Sequence, residues 1–95
     1  MAQKPRIREA WHPAEYAVPD AYAVQALAEG RASAEQQGRA FRWIVEHACS
    51  TYDLSFRPQS QRDTDFAEGR RFVGLQLVKL TKINLALLKR GSDDA

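Results

Sequence analysis

The chain has 95 residues, 44% of them hydrophobic and 27% charged, which is typical of one small globular domain and excludes a disordered chain. Its formal net charge of +2 is too small to indicate nucleic-acid binding by itself. The single cysteine excludes an internal disulfide and is typical of a protein made in a reducing cytoplasm.

Residues 1–19 are predicted to form an extended arm. They contain three prolines, each of which disfavours helix at the residue before it. They include charges but no apolar run, so we expect no signal peptide. Trp11 and Tyr16 are large aromatic residues for an arm in free solvent, and we assign both to protein–protein contact. The surface that receives them is either the chain's own helices or a neighbouring subunit.

A short first helix is predicted over residues 21–29. Asp20 follows a proline and is suited to cap the start of this helix, and Gly30 is suited to the position after its last turn. Its apolar face is weak, since it consists of Tyr22, Leu27 and alanines. We therefore place this helix in front of a core that is formed by two longer helices.

The second helix is predicted over residues 34–51. Ser33 and Gln36 have the spacing of a capping box, which indicates the start of the helix. Apolar and small residues then recur at helical spacing. Gly38 and Phe41 belong to this face, and we assign both to helix packing.

The third and longest helix is predicted over residues 63–90, with Ser60 or Asp63 as its cap. Apolar or small residues follow one helix face at spacings of three and four residues. These residues are Phe66, Gly69, Val73, Leu77, Leu80 and Leu87. Beyond Gly74 the apolar residues occupy several sides of the helix, which indicates more than one neighbour.

Together these elements predict an all-α fold. The core is an antiparallel helical hairpin of residues 34–51 and 63–90, within a helical domain of residues 20–91 that ends in a tail, residues 92–95. Small residues on both helices indicate close approach of the two backbones, and we assign Gly69, Val73 and Gly74 to this packing together with Gly38 and Phe41.

The end of the long helix is predicted to make an intermolecular contact. At about 1.5 Å per residue the helix is near 40 Å long, and its partner covers only about two thirds of that length. The uncovered apolar run, residues 83–88, is too short to span a bilayer. We assign four side chains to contact with another molecule: Leu80, Ile83, Leu87 and Leu88.

No catalytic or metal-binding set emerges from the sequence. His47 and Cys49 lie on different sides of one helix, and such a pair is not a metal site without further ligands. We expect Cys49 to be a buried apolar residue. The glycines of the long helix lack the Lys-Ser/Thr pair that completes a phosphate-binding loop. The chain is therefore predicted to be no enzyme, with no catalytic residue, metal or cofactor.

The basic residues near the start of the long helix allow two interpretations. Arg70 and Arg71 are expected to form structural ion pairs with Glu68 and nearby acids, or bonds to loop carbonyls, with Arg71 the more firmly held of the two. A basic helix can also follow the phosphates of a nucleic acid. Because acidic residues are interspersed with the arginines, we favour the structural interpretation.

Several short motifs are shared with one protein family. Gly38-Arg39 opens a helix, Cys49 lies near its end, and Ser55-Phe56 follows in the loop. Next come Phe66-x-x-Gly69-x-Arg71, including the letters EGRR, and then VGL at residues 73–75. Over residues 38–80, just under half of the chain, the sequence resembles a family of short podovirus proteins that are encoded among head and tail structural genes.

The resemblance implies a structural or assembly protein of a tailed phage. Such a protein would dock in several copies on the portal, the head–tail connector or the internal core of the virion. Its partners would be other phage structural proteins and copies of itself, first in the host cytoplasm and then in the virion. The alternative is a small regulatory protein that binds nucleic acid or a host enzyme through its basic helix.

Overall fold

The computed structural model describes residues 10–92, which are mostly helical and contain no strand, so the predicted all-α class is confirmed. Helix α1 is Val18–Ala28, and helix α2 is Ala34–Trp43, which continues into a π-helical turn at Ile44–Ala48. Helix α3 is Gln61–Lys82, and helix α4 is Leu85–Ser92. Residues 1–9 of the predicted arm and residues 93–95 of the predicted tail lie outside the described residues.

Helix α1 begins earlier than predicted, at Val18, with Pro19 in its first turn. A proline is tolerated there because its missing N–H would have no partner in the first turn of a helix. Asp20 therefore lies inside the helix and caps it from there, since its carboxylate accepts a hydrogen bond of 2.8 Å from the Ala17 N–H. This hydrogen bond is the main cause that lowers the pKa of Asp20 below its ordinary value of 3.8.

The predicted end of α1 and start of α2 are confirmed. Gly30 has a positive φ of 73° and donates its N–H to the Leu27 carbonyl at 3.1 Å, as is usual for a glycine that closes a helix. Ser33 accepts a hydrogen bond from the Gln36 N–H at 3.1 Å, and the Gln36 side chain accepts one from the Ser33 N–H at 3.0 Å. Both signals are local, which is why the sequence reveals them.

The predicted helix 34–51 is not α-helical to its end. The Cys49 N–H reaches back five residues to the Ile44 carbonyl at 2.9 Å, which widens the last turn into a π-helix. Thr51 closes the turn, because its N–H and its hydroxyl both donate to the Val45 carbonyl, at 3.1 and 2.6 Å. Ser50, with a φ of 50°, turns the chain out of the helix.

Helix pairing also differs from the prediction. Helix α1 packs along α2, whereas among the described helices α3 contacts only the π-helical turn. An ion pair of 2.8 Å between Asp20 and Arg39 links α1 to α2. The predicted hairpin of residues 34–51 and 63–90 is therefore wrong, because α3 meets the end of its predicted partner and does not run along it.

The predicted long helix is two helices. Ser60 caps α3, since its hydroxyl accepts the Asp63 N–H at 3.1 Å. The helix stops at Ile83, whose φ of −69° and ψ of 147° are extended. Asn84 then starts α4, because its side-chain oxygen accepts the Ala86 N–H at 3.0 Å and replaces a missing helical partner. None of the described helices combines the length and apolar character that crossing a membrane requires.

The core of the described residues is built from small side chains. The buried apolar residues are Ala10, Ala23, Ala26, Ala40, Val45, Cys49 and Ala67. The expected burial of Cys49 is thus confirmed, at 7% exposure. Most large apolar side chains lie outside this core, which is unusual for a protein that acts as an isolated monomer.

Candidate functional site

The crossing of α3 with the π-helical turn is a close contact of backbones. Gly74 is buried, and a Cβ at this position would overlap the Thr51 hydroxyl and lie 2.9 Å from the Cβ atoms of Thr51 and Cys49. Ala67, seven residues earlier on the same face of α3, is also buried. The small size of both residues allows α3 to approach the turn.

The other predicted packing positions are not in this contact. A Cβ at Gly38 or Gly69 would meet no atom within 4 Å. Phe41 is 38% exposed and Val73 is 50% exposed. The assignment of Phe41 and Val73 to helix packing stays a prediction, whereas Gly38 and Gly69 are not at a close crossing among the described residues. The physical reason is that α3 presents its Ala67 and Gly74 face to the turn, and each step of one residue rotates the side chain by about 100°.

Arg70 holds the crossing together. Its guanidinium donates to the Ala48 carbonyl at 2.8 and 3.1 Å and to the His47 carbonyl at 3.3 Å, at the end of the π-helical turn. It also donates to the Ala10 carbonyl at 2.7 Å and the His12 carbonyl at 3.4 Å, in the arm. The cation thus satisfies carbonyls at a helix C-terminus and fastens the arm to α3.

Arg71 is held less firmly than Arg70, contrary to expectation. It forms the predicted pair with Glu68, but at 3.5 Å and with both side chains more than a third exposed. Such exposed pairs contribute little to stability. Of the two predicted kinds of contact, Arg70 makes bonds to carbonyls and not ion pairs with acids, because α3 brings it to the end of the π-helical turn.

Arg57 fastens the loop that precedes α3. Its backbone N–H donates to the Thr64 hydroxyl at 2.8 Å, and its guanidinium donates to the Leu54 carbonyl at 2.7 Å. The Thr64 hydroxyl donates back to the Arg57 carbonyl at 3.2 Å. Three arginines near the start of α3, Arg57, Arg70 and Arg71, are thus engaged within the chain.

The described part of the arm, residues 10–17, lies against the chain's own helices. The Trp43 indole N–H donates to the Glu15 carbonyl at 3.0 Å, which fixes the arm to α2. The aromatic rings assigned to protein contact remain largely outside, with Trp11 55% and Tyr16 68% exposed. Folding back of the arm therefore involves its backbone, and both rings stay accessible to a second molecule.

A groove of about 560 Å³ lies between the arm and the π-helical turn. Its lining includes His12, His47, Asp53, Arg57 and Arg70. Among residues 10–92, no group of three or more His, Cys, Asp or Glu side chains is arranged to hold a metal ion. The Arg70 guanidinium already donates hydrogen bonds to carbonyls of the arm and of the π-helical turn. We therefore interpret the groove as a consequence of these structural contacts.

The exposed end of the chain is the candidate functional site. We call Leu80, Leu85, Leu87 and Leu88, which are 45–72% exposed, the C-terminal apolar surface. Ile83, which the sequence placed with them, is half-buried at the break between α3 and α4. Leu85 was not among the residues assigned to the contact from the sequence, although it belongs to the same apolar run.

A second group of exposed apolar residues lies in the loop before α3. Tyr52, Leu54 and Phe56 are 67%, 76% and 59% exposed. None of these three residues was predicted from the sequence to contact a partner, and Phe56 was named only as part of the family motif. Apolar residues interspersed in a proline-containing loop were the available signal, since such a loop has no regular face to bury them.

A scan of protein-family models and searches of curated proteins and of solved structures give no match to this chain. The podovirus resemblance of residues 38–80 therefore stays a prediction. The geometry of the chain bears on where a partner binds, and the phage context depends on this resemblance.

Proposed function

We propose that this chain is a non-enzymatic structural or assembly protein of a tailed phage, which docks on other virion proteins through its C-terminal apolar surface. The observation that carries the proposal is the exposure of Leu80, Leu85, Leu87 and Leu88 at 63%, 72%, 61% and 45%. Four leucines exposed within residues 80–88 favour a binding surface in this segment.

The position of this surface supports docking on a large partner. Helix α3 has 22 residues and is therefore about 33 Å long. Its close crossing is at Gly74, so the chain beyond it extends away from the arm and α1. Among the described helices α4 contacts no other, which leaves its leucines accessible to a partner.

Burial of this surface contributes part of the free energy that docking requires, and contacts elsewhere on the partner supply the rest. Burying a fully exposed leucine contributes roughly 1.5–3 kcal/mol. The four leucines are about half to three quarters exposed, so each can contribute on the order of 1–2 kcal/mol on docking. Several copies on one assembly would raise the apparent affinity further through multivalency.

The contacts of three arginines near the start of α3 favour a protein partner over nucleic acid. Arg57 and Arg70 donate to backbone carbonyls, and Arg71 faces Glu68. A phosphate would have to displace these contacts. The docking sites on the portal, the head–tail connector or the internal core, and the passage from host cytoplasm to virion, are part of this proposal and depend on the resemblance of residues 38–80.

The test is incorporation of variants into particles of the phage that encodes the chain, measured by quantitative mass spectrometry. We expect the double variant Leu87→Glu, Leu88→Glu to keep its helix content and melting temperature, because both side chains are exposed. Its amount in purified particles should fall at least tenfold, since charged side chains would have to be buried at the docking site.

Lys82→Glu is the matched control, because it lowers the net charge by the same two units at an exposed site near the leucines. It should enter particles at the wild-type level. Equal incorporation of the double variant and the control, or absence of the wild-type protein from particles and from assembly intermediates, would contradict the proposed function.

A further inference from the structure

One exposed face of α3 has the spacing of a helix-pairing seam. Phe66, Gly69 and Val73 lie on it at intervals of three and four residues, and Leu80 continues it one heptad further. We call the first three residues the α3 stripe. Phe66 is 47% exposed, Val73 is 50% exposed, and the space around Gly69 is open.

We propose that the α3 stripe pairs with the α3 stripe of a second copy of this chain, with the two helices antiparallel. The proposal goes beyond the docking function and does not depend on it. The α3 stripe is turned about 100° away from the Ala67 and Gly74 face, so the crossing with the π-helical turn leaves it accessible.

The charges on α3 favour a second copy of this chain as the molecule that binds the α3 stripe. Asp65 and Lys79 are both exposed and lie fourteen residues apart, close to four helical turns, so they border the same flank of the stripe. The segment from Phe72 to Lys82 contains no acidic residue. In an antiparallel pair centred near Phe72, Asp65 of each copy faces Lys79 of the other.

A parallel pair lacks this complementarity. Each residue would then lie at the level of its own counterpart, and Lys79 would find no acidic residue at its level. Two opposite-charge contacts therefore favour the antiparallel arrangement, as flanking charges do in coiled coils.

Gly69 has a physical role in this arrangement. In the antiparallel register it falls near the level of Val73 and Gln76 of the second copy. A residue without a side chain there lets the two helices approach closely and receives the apolar side chain that faces it. Within the single chain nothing lies within 4 Å of a Cβ at Gly69, so packing inside the described chain does not account for the glycine.

The interface spans about two heptads, which is small for a protein–protein contact. We therefore expect a weak dimer, with a dissociation constant of about 10–100 µM. Sedimentation equilibrium between about 5 and 500 µM covers this range on both sides.

The sharpest test exchanges the flanking charges. Asp65→Lys and Lys79→Glu should each weaken the homodimer at least tenfold, because each places like charges across the interface. An equimolar mixture of the two variants should regain the wild-type dissociation constant, since the introduced lysine faces the introduced glutamate and the native Lys79 faces the native Asp65. Lys82→Glu, on the opposite side of α3, should dimerise as the wild type does.

The wild type remaining monomeric at 500 µM, or a mixture no more associated than its separate components, would overturn the proposal. Circular dichroism melts identify any variant that fails to fold. If a charge variant fails to fold, Phe66→Gln is used in its place. Phe66 is an exposed residue of the α3 stripe, and its replacement should weaken the dimer at least tenfold. None of these variants alters Leu87 or Leu88, so failure of the dimer and failure of particle docking are separate results.

Discussion

Replacing Gly74 with alanine is expected to lower the free energy of unfolding by about 1–3 kcal/mol, despite the higher helix propensity of alanine. The added Cβ would overlap the Thr51 hydroxyl and lie 2.9 Å from the Cβ atoms of Thr51 and Cys49. Thr51 cannot move aside easily, because its hydroxyl and its N–H both bond to the Val45 carbonyl. Thermal and urea unfolding at low protein concentration measure the effect.

Gly69→Ala is the matched control on the same helix. The new methyl group meets no atom within 4 Å, so the substitution should raise the free energy of unfolding by about 1 kcal/mol. Opposite signs for the two variants are the expected outcome. Stabilisation by both substitutions would mean that α3 does not cross the π-helical turn at Gly74.

Replacing Arg70 with methionine is expected to destabilise the protein by about 2–4 kcal/mol. Methionine keeps much of the side-chain volume but removes every donor, which leaves the carbonyls of His47 and Ala48 without their cationic partner. The bonds to Ala10 and His12 are lost with them, so the arm should also become more accessible to proteolysis.

Arg71→Met is the control for Arg70→Met, since it removes the same charge one residue away. Its 3.5 Å pair with Glu68 is exposed, so the expected change is within about 0.5 kcal/mol. Chemical denaturation of both variants measures the two changes in the free energy of unfolding. A similar loss of stability for both would show that the positive charge of α3, and not the hydrogen bonds of Arg70, stabilises the crossing.

Several helix boundaries could be predicted from the sequence because they depend on neighbouring residues. Ser33 with Gln36, Ser60 and Gly30 each form the terminal hydrogen bonds or the positive φ that their residue types favour. These interactions span three or four residues and need no knowledge of the tertiary fold.

The buried face of α3 could not be chosen from periodicity alone. Phe66 with Val73 and Ala67 with Gly74 are both pairs at heptad spacing, and hydrophobicity favours the first pair. The fold buries the second pair because small residues permit the close contact with Thr51. The small size of the side chains at the crossing therefore decides which face of α3 is buried, even though the other face is more hydrophobic. The larger side chains of that other face stay exposed.

The π-helical turn and the bonds of Arg70 also could not be predicted from the sequence. A π-turn inserts one residue into a helical pattern, and the periodicity over residues 44–51 is too short to show this change. Arg70 contacts residues 22 and 60 positions away, which no local rule connects. The break at Asn84 did have a local signal, since asparagine is a good N-cap, but the surrounding leucines masked it.

Protection of Leu87 in the assembled particle tests the central claim most directly. A Leu87→Cys variant places a thiol at a 61% exposed position, while the native Cys49 is buried and the only other thiol. A maleimide should label the new thiol rapidly in the free protein and at least tenfold more slowly in intact particles, because a partner covers the C-terminal apolar surface. Equal labelling rates in the two states would contradict the account.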